Sequence, residues 1–320
     1  MPSRVLAIDG DGVRGILPAR MLAELEEMGG PIADQFDLIA GSGGGAVLAL
    51  ALSLRPERGQ SRRNAVRALD TWTTRAHRLF PRPPFRHRIT RAIGSGTPGG
   101  TRSMRAEVDA MFGEIPLGDA RPEVLVATFD LDAGAPLLIR SSEFRGHTRP
   151  LMRDVALASM TLPTHFAPVA VELGTRTYRL THGGLVANNP SLFAYAAALA
   201  QNPPSSVRLL SLGTGTQRPV SGRTAATRRS QNSGWPFTAA GIFNAHLEIS
   251  SEANHQAMES LLAATGKRGG YWRIQPVLDG ELPDPQPRGL MDPGMLAAMA
   301  EQAVDDKRST LVEVAEALAA

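Results

Sequence analysis

The sequence predicts an α/β fold, a mainly parallel sheet with helices on both faces. Three observations carry this. Two apolar segments, Arg4–Asp9 and Phe36–Ala40, each run into a glycine-rich turn followed by an apolar segment of helical length. A third buried-strand pattern, Val207–Leu212, ends in Gly213-Thr214-Gly215. Strand-like and helix-like segments alternate along the chain, the order that builds a parallel sheet.

Taken in order, Arg4–Asp9 reads as a buried strand and Gly10–Gly15 as a turn. Ile16–Met28 follows as a helix, with Leu17, Met21, Leu25 and Met28 on one stripe. Phe36–Ala40 is the second strand. Ala46–Leu54 is the helix after it, apolar on every side and therefore central. Arg62–Leu79 reads as a helix, whereas Phe80–Gly100, rich in Pro, Gly and Arg, reads as an irregular loop or lid. Ser103–Phe112 is a short helix. Glu123–Phe129 and Pro136–Arg140 form a strand pair around the turn Leu131–Gly134. Asp154–Met160 is a short helix, and Val169–Val171 with Thr177–Leu180 are further strands. Pro190–Ala200 is a helix that opens with proline at a favoured position. The polar stretch Gln217–Pro236 precedes helices near Thr238–Ala264 and Pro293–Leu318, which flank a strand at Tyr271–Gln275. No internal repeat is present. The expectation is one domain over residues 1–320, with an arginine-rich cap or lid at about 55–105.

With 320 residues and 42% hydrophobic content, the chain can bury a sizeable core. Cysteine is absent, so disulfides, thiolate metal sites and cysteine catalysis are excluded. The start, Met-Pro-Ser-Arg-Val-Leu-Ala-Ile-Asp, lacks the apolar stretch of a signal peptide. The longest apolar run, Ala46–Leu54, is too short for a bilayer. These features predict a soluble, cytoplasmic protein. The net charge of +3 is unevenly spread: Arg55–Arg105 holds 13 arginines against Glu57 and Asp70, a local net of +11. This segment is either a solvated cap or a face for an anionic ligand or a peripheral membrane contact. Sparse aromatics and the lack of a recognition motif argue against nucleic acid.

The chemistry concentrates in the glycine turns. Gly10-x-Gly12-x-x-Gly15 matches the dinucleotide fingerprint, but Asp34 and Asp37 precede the next strand, where an acidic residue should close it. Asp9-Gly10-Asp11-Gly12 lacks the remaining ligands of a calcium loop. No histidine pair has metal-ligand spacing, so neither metal nor cofactor is expected. An oxyanion site is the better reading, with backbone N–H groups at two helix starts converging on one sheet edge. The second turn fits the strand–turn–helix frame G-x-S-x-G of a nucleophile elbow over Gly41-Ser42-Gly43-Gly44-Gly45. Its apex is Gly43, which has no hydroxyl to attack with.

Several segments together resemble one family. Asp9-Gly10-Asp11-Gly12-Val13-Arg14-Gly15 is similar to the D-G-G-G-x-R-G oxyanion loop of patatin-like phospholipases, and Phe36–Gly45 is similar to their elbow. His182-Gly183-Gly184-Leu185-Val186-Ala187-Asn188-Asn189-Pro190 resembles their D-G-G-x-x-x-N-N-P segment. Phe129-Asp130-Leu131, Ser159 through Pro168 and Ser211–Gly215 also resemble family segments, in the expected order and over nearly the whole chain. The resemblance implies a patatin-like α/β domain and, in ordinary members, ester hydrolysis by a serine–aspartate dyad. It also implies that Gly10, Gly12 and Gly44 face the oxyanion or substrate. Arg14 matches a family arginine expected to anchor its loop. His165 stands where the family often has an aromatic residue near the pocket.

This chain departs from the pattern at three places. The serine position is Gly43, the aspartate position is His182, and the second glycine of the oxyanion loop is Asp11. A hydroxyl is lost and two ionisable groups are added. His182 either fills the space left at Gly43, as close packing favours, or works with Asp11 as a hydrogen-bonded acid–base pair. The second reading predicts non-covalent chemistry on a carbonyl-containing small molecule: a cyclisation, isomerisation, elimination or lyase step. A rival is a catalytically dead member that binds lipid or a regulatory ligand. A third is residual hydrolysis by Ser42, His182 and Asp11 as a triad, against which Ser42 lies one residue before the apex and should face away from the pocket.

Overall fold

The computed structural model describes residues 3–55, 62–80, 101–163, 166–217, 239–264, 270–278 and 293–320. His165 and nearly all of the expected loops at 80–100 and 217–236 lie outside the described residues. The strands are β1 (Ser3–Ile8), β2 (Leu38–Gly41), β3 (Glu123–Asp130), β4 (Ala135–Arg140), β5 (Val169–Leu173), β6 (Arg176–Thr181), β7 (Val207–Leu212), β8 (Thr216–Gln217), β9 (Tyr271–Ile274) and β10 (Val277–Leu278). The main sheet runs β5-β6-β3-β2-β1-β7-β9, with β4 also paired to β3, while β8 and β10 pair separately. Strands β3, β2, β1, β7 and β9 are parallel. Strands β4, β5 and β6 enter antiparallel.

The helices are α1 (Ile16–Gly29), α2 (Ile32–Gln35), α3 (Gly43–Leu52), α4 (Asn64–Leu79), α5 (Thr101–Phe112), α6 (Met152–Met160), α7 (Gly184–Ala187), α8 (Ser191–Leu199), α9 (Ala239–Ala264) and α10 (Pro293–Ala319). Among the described residues, no helix is long and apolar enough to cross a membrane. Helix α3 starts three residues earlier than the hydrophobic pattern predicts. The turn glycines are themselves its first residues, and Ser42, in extended conformation, is the residue before it.

The alternation of strand side chains sorts the helices. On β1, Leu6 and Ile8 face a cluster built with α1, α3, α4, α5, α6 and α10. Val5 and Ala7 face the opposite cluster, built with Ala194, Tyr195 and Ala198 of α8 and Met258 and Leu262 of α9. Helix α9 serves both faces. Its Phe243 and Leu247 join the first cluster and its Met258 and Leu262 the second. At about 1.5 Å per residue, it is long enough to lie as a bar across the carboxyl edge of the sheet.

Helix α4, within the arginine-rich segment, is tied to the core at its start. The buried Glu26 carboxylate accepts the N–H groups of Ile32 (3.2 Å), Ala65 (3.1 Å) and Val66 (3.2 Å). Asn64 donates to the Leu52 and Leu54 carbonyls. Trp72, fully buried, donates its indole N–H to the Gly12 carbonyl at 3.4 Å. The lower half of this helix thus touches the first glycine turn.

Candidate active site

Strand β3 brings the candidate residues together. Strand β4 pairs with β3 from Leu125 to Asp130, overlapping both β2 and β6. Strands β2 and β6 therefore share the other edge of β3 and meet head to head along it. Gly41, the end of β2, lies opposite Val126; Thr181, the end of β6, lies opposite Phe129. The residues that follow, Gly43 and His182, are thrown into the same small space.

Gly43 has φ +50°, a left-handed conformation natural to glycine. Its N–H donates to Ser159 Oγ (2.9 Å), and that hydroxyl donates to the Ala127 carbonyl (2.8 Å), fixing the apex to β3. A Cβ at Gly43 would lie 2.8 Å from His182 Nε2 and 2.5 Å from the Gly10 carbonyl oxygen. The imidazole therefore stands where a side chain at the apex would begin.

His182 is 4% exposed. Burial pushes its pKa down to about 4, against the opposing pull of the Asp11 charge. The ring is neutral at pH 7. Its Nδ1 accepts the Gly184 N–H at 2.9 Å, at the start of α7. A neutral imidazole with an acceptor Nδ1 carries its proton on Nε2. His182 thus presents a hydrogen-bond donor, not a lone pair, toward the elbow.

Asp11 is engaged elsewhere. Asn188 Nδ2 donates to its Oδ1 at 2.9 Å, and the Thr214 hydroxyl donates to its Oδ2. Arg14 Nη2 lies 3.3 Å from the same Oδ2, and both side chains are buried. Arg14 is thus paired within its own loop. The expected Asp11–His182 hydrogen bond is not made: among the described residues only the Coulombic influence of Asp11 reaches the ring. The Ser42-His182-Asp11 triad is not assembled either. His182 Nδ1 faces Gly184 rather than Asp11, and the Ser42 hydroxyl is buried without a hydrogen-bond partner among the described residues. Two of the groups around Asp11, Asn188 and Thr214, come from distant parts of the chain, which explains why spacing alone misplaces its partner.

Three N–H groups of the first glycine turn are already engaged. Gly10 N–H donates to Asn188 O, Gly12 N–H to Gly10 O and Arg14 N–H to Asp11 O, each at 3.1 Å. The void left among Gly10, Gly12, Gly44 and His182 measures about 10 Å³, room for about one water molecule. Helix α9 roofs it. Phe243 meets the His182 ring edge to face, with centroids 5.9 Å apart and planes at 81°, and Asn244 and Leu247 complete the cover.

A buried ion pair bolts this roof down. Arg273 of β9 donates to both Asp9 oxygens, at 2.7 and 2.6 Å. Ser251 of α9 donates to Asp9 Oδ2 at 2.7 Å. Asn254 donates to the Asn189 carbonyl at 2.8 Å, and Asn189 donates to the Ser251 carbonyl at 3.3 Å. Burial pushes the Asp9 pKa up, against the pull of Arg273. Arg273, Ser251, Phe243 and Trp72 do not stand out in the sequence, and Ser159 does so only as the start of a family-like segment. They are ordinary residues in ordinary elements, and only the tertiary fold brings them to the site.

A parallel sheet with two glycine turns converging at its carboxyl edge, one of them a nucleophile elbow, defines an α/β protein of the elbow-hydrolase architecture. The chain belongs to the patatin-like phospholipase family, whose family model matches residues 6–195. It is 26% identical to patatin-like protein 2 of Arabidopsis thaliana, over 85% of this chain and 75% of that one. It is 31% identical to a cGAMP-activated phospholipase of Vibrio cholerae, over 66% of this chain and 64% of that one. Among solved structures, VipD from Legionella pneumophila is 12% identical, with a TM-score of 0.44 over 99% of this chain and 67% of that one.

Proposed function

We propose that this protein has left serine–aspartate ester hydrolysis and acts non-covalently on a carbonyl-containing small molecule, in a cyclisation, isomerisation, elimination or lyase step. The observation that carries the reading is the position of His182, whose Nε2 lies 2.8 Å from where a Cβ at residue 43 would be. An acyl-enzyme has no atom to form on at Gly43. A neutral imidazole presenting Nε2–H donates a hydrogen bond to a carbonyl oxygen and stabilises the charge that develops there, as a neutral electrophilic histidine does. Asp11, in the first glycine turn, adds a negative charge that raises the affinity of the ring for a proton. Access requires the first turns of α9 to lift, because Phe243 and Leu247 cover the ring.

Family membership supports an acyl or carbonyl compound as the partner. The exposed Arg75 and Arg78 of α4 share a single carboxylate, Glu107, and this surplus of positive charge supports an anionic substrate or delivery from a membrane surface. A second reading, ligand binding without turnover, is favoured by the absence of an Asp11–His182 hydrogen bond among the described residues. Two assays separate these. Wild type and His182→Gln are given p-nitrophenyl butyrate, and separately the small molecules extracted from freshly purified protein, with products read by mass spectrometry. The proposal expects no p-nitrophenol from either protein, and product from the extract with wild type only. Steady p-nitrophenol release by wild type contradicts it. A bound compound that wild type never converts selects the binding reading.

A further inference from the structure

A cleft of about 620 Å³ opens at the amino-terminal edge of the sheet, the edge opposite His182. The starts of β1, β2 and β3 and the residues after α8 form its walls. Its acidic groups are each matched: Asp37 with Arg4, Glu123 with Arg140 and Asp34 with Arg62. Two guanidinium groups remain. Arg121 Nη1 donates to the Gly118 and Ala120 carbonyls, at 3.0 and 2.5 Å, and has no carboxylate partner among the described residues. Arg145 is exposed, and among the described residues it has neither a hydrogen bond nor an ion pair.

These two arginines start from one spot. Gly118 packs so closely on the Phe144 carbonyl that a Cβ there would collide with it, and that Cβ would lie 3.0 Å from Arg145 Cα. The Arg121 guanidinium folds back onto the carbonyl of the same Gly118. The cleft thus has one wall with two adjacent planar donors left in surplus after internal pairing. The facing wall is polar and neutral, with Gln201 and Asn202. The Arg145 fork, with the Nη2 side of Arg121 left after its Nη1 bonds to the two carbonyls, matches the oxygens of a phosphoryl group, and the volume is that of a small-molecule site.

We propose that this cleft binds a phosphate-bearing small molecule through Arg121 and Arg145, at a site separate from His182. The test is isothermal titration of the full chain with two probes, inorganic pyrophosphate and ADP, at low salt. Wild type, Arg145→Glu, Arg145→Lys and the charge-matched control Arg102→Glu are compared, with thermal melts showing that each is folded. The expected result is saturable binding by wild type at about 1 mM or tighter. Arg145→Glu should weaken it about tenfold or more, the loss of a charge-assisted contact. Arg145→Lys should fall between, and Arg102→Glu should bind as wild type does. Tighter binding of ADP than of pyrophosphate assigns the rest of the cleft to an organic group, and equal binding assigns it to the phosphate alone. Failure of wild type to bind either probe, or wild-type affinity in Arg145→Glu, overturns the proposal.

Discussion

Replacing His182 with Gln should flatten the acid side of the stability curve. Burial holds the imidazole pKa at about 4, against an ordinary value near 6.5. The folded value is the lower one, so the unfolded chain binds the extra proton, and acid favours unfolding. The stability contributed by neutral His182 is complete above pH 6.5 and is lost as pH falls toward 4. The drop from 6.5 to about 4 corresponds to about 3 kcal/mol, of which about 2 kcal/mol is gone by about pH 5. Asp9, with its raised pKa, acts in the opposite direction, so the quantity to measure is the difference between the two proteins. Urea unfolding at about pH 7.5 and pH 5 supplies it. Wild type should lose about 2 kcal/mol more than His182→Gln over that interval. Parallel losses in the two proteins, or a His182 ring that titrates near 6.5 by NMR, would refute the argument that this imidazole is buried and neutral.

Three further outcomes follow from the packing. Gly43→Ser alone should cost roughly 1–3 kcal/mol, because the new Cβ meets the His182 ring; in a His182→Ala background part of that cost should disappear, and an equal cost in both backgrounds by chemical denaturation contradicts the contact. Asp9→Asn leaves the buried Arg273 without its counter-charge and should cost roughly 3–5 kcal/mol, with α9 losing hydrogen-exchange protection; unchanged protection would show that the ion pair does not hold the roof. Glu26→Ala removes the acceptor of three N–H groups, one at the start of α2 and two at the start of α4, and should cost roughly 2–4 kcal/mol, with faster amide exchange at Ala65 and Val66 as the local signature.

The parallel core of the fold was legible because its strands are short apolar runs closed by glycine. Strands β1, β2 and β7 and the elbow all announce themselves that way, and the starting residue of α3 shifts only because the elbow glycines are also helical. The antiparallel end was less legible. Val169–Val171 and Thr177–Leu180 read as strands, within the observed Val169–Leu173 and Arg176–Thr181, but their direction depends on pairing with β3, which no local pattern encodes. That direction is what turns His182 toward Gly43. The site was legible as a set of residues and not as a set of partners. His182, Asp11 and Gly43 stand out against the family pattern. The Gly184 N–H on His182 Nδ1 comes from α7, a single turn hidden in Gly183-Gly184-Leu185-Val186-Ala187. The partners of Asp11 include Asn188 and Thr214, which lie 177 and 203 residues away. Such partners follow from the sheet edge and not from spacing.

The most direct test of the central claim is mass spectrometry of the intact protein after exposure to a fluorophosphonate, a reagent that labels activated serine. With Gly43 at the apex and Ser42 buried without a base, wild type should carry no adduct. The triple variant Asp11→Gly, Gly43→Ser, His182→Asp, which restores the residues of the ordinary dyad, should be labelled at position 43. An adduct on wild type, mapped to Ser42, would contradict the account.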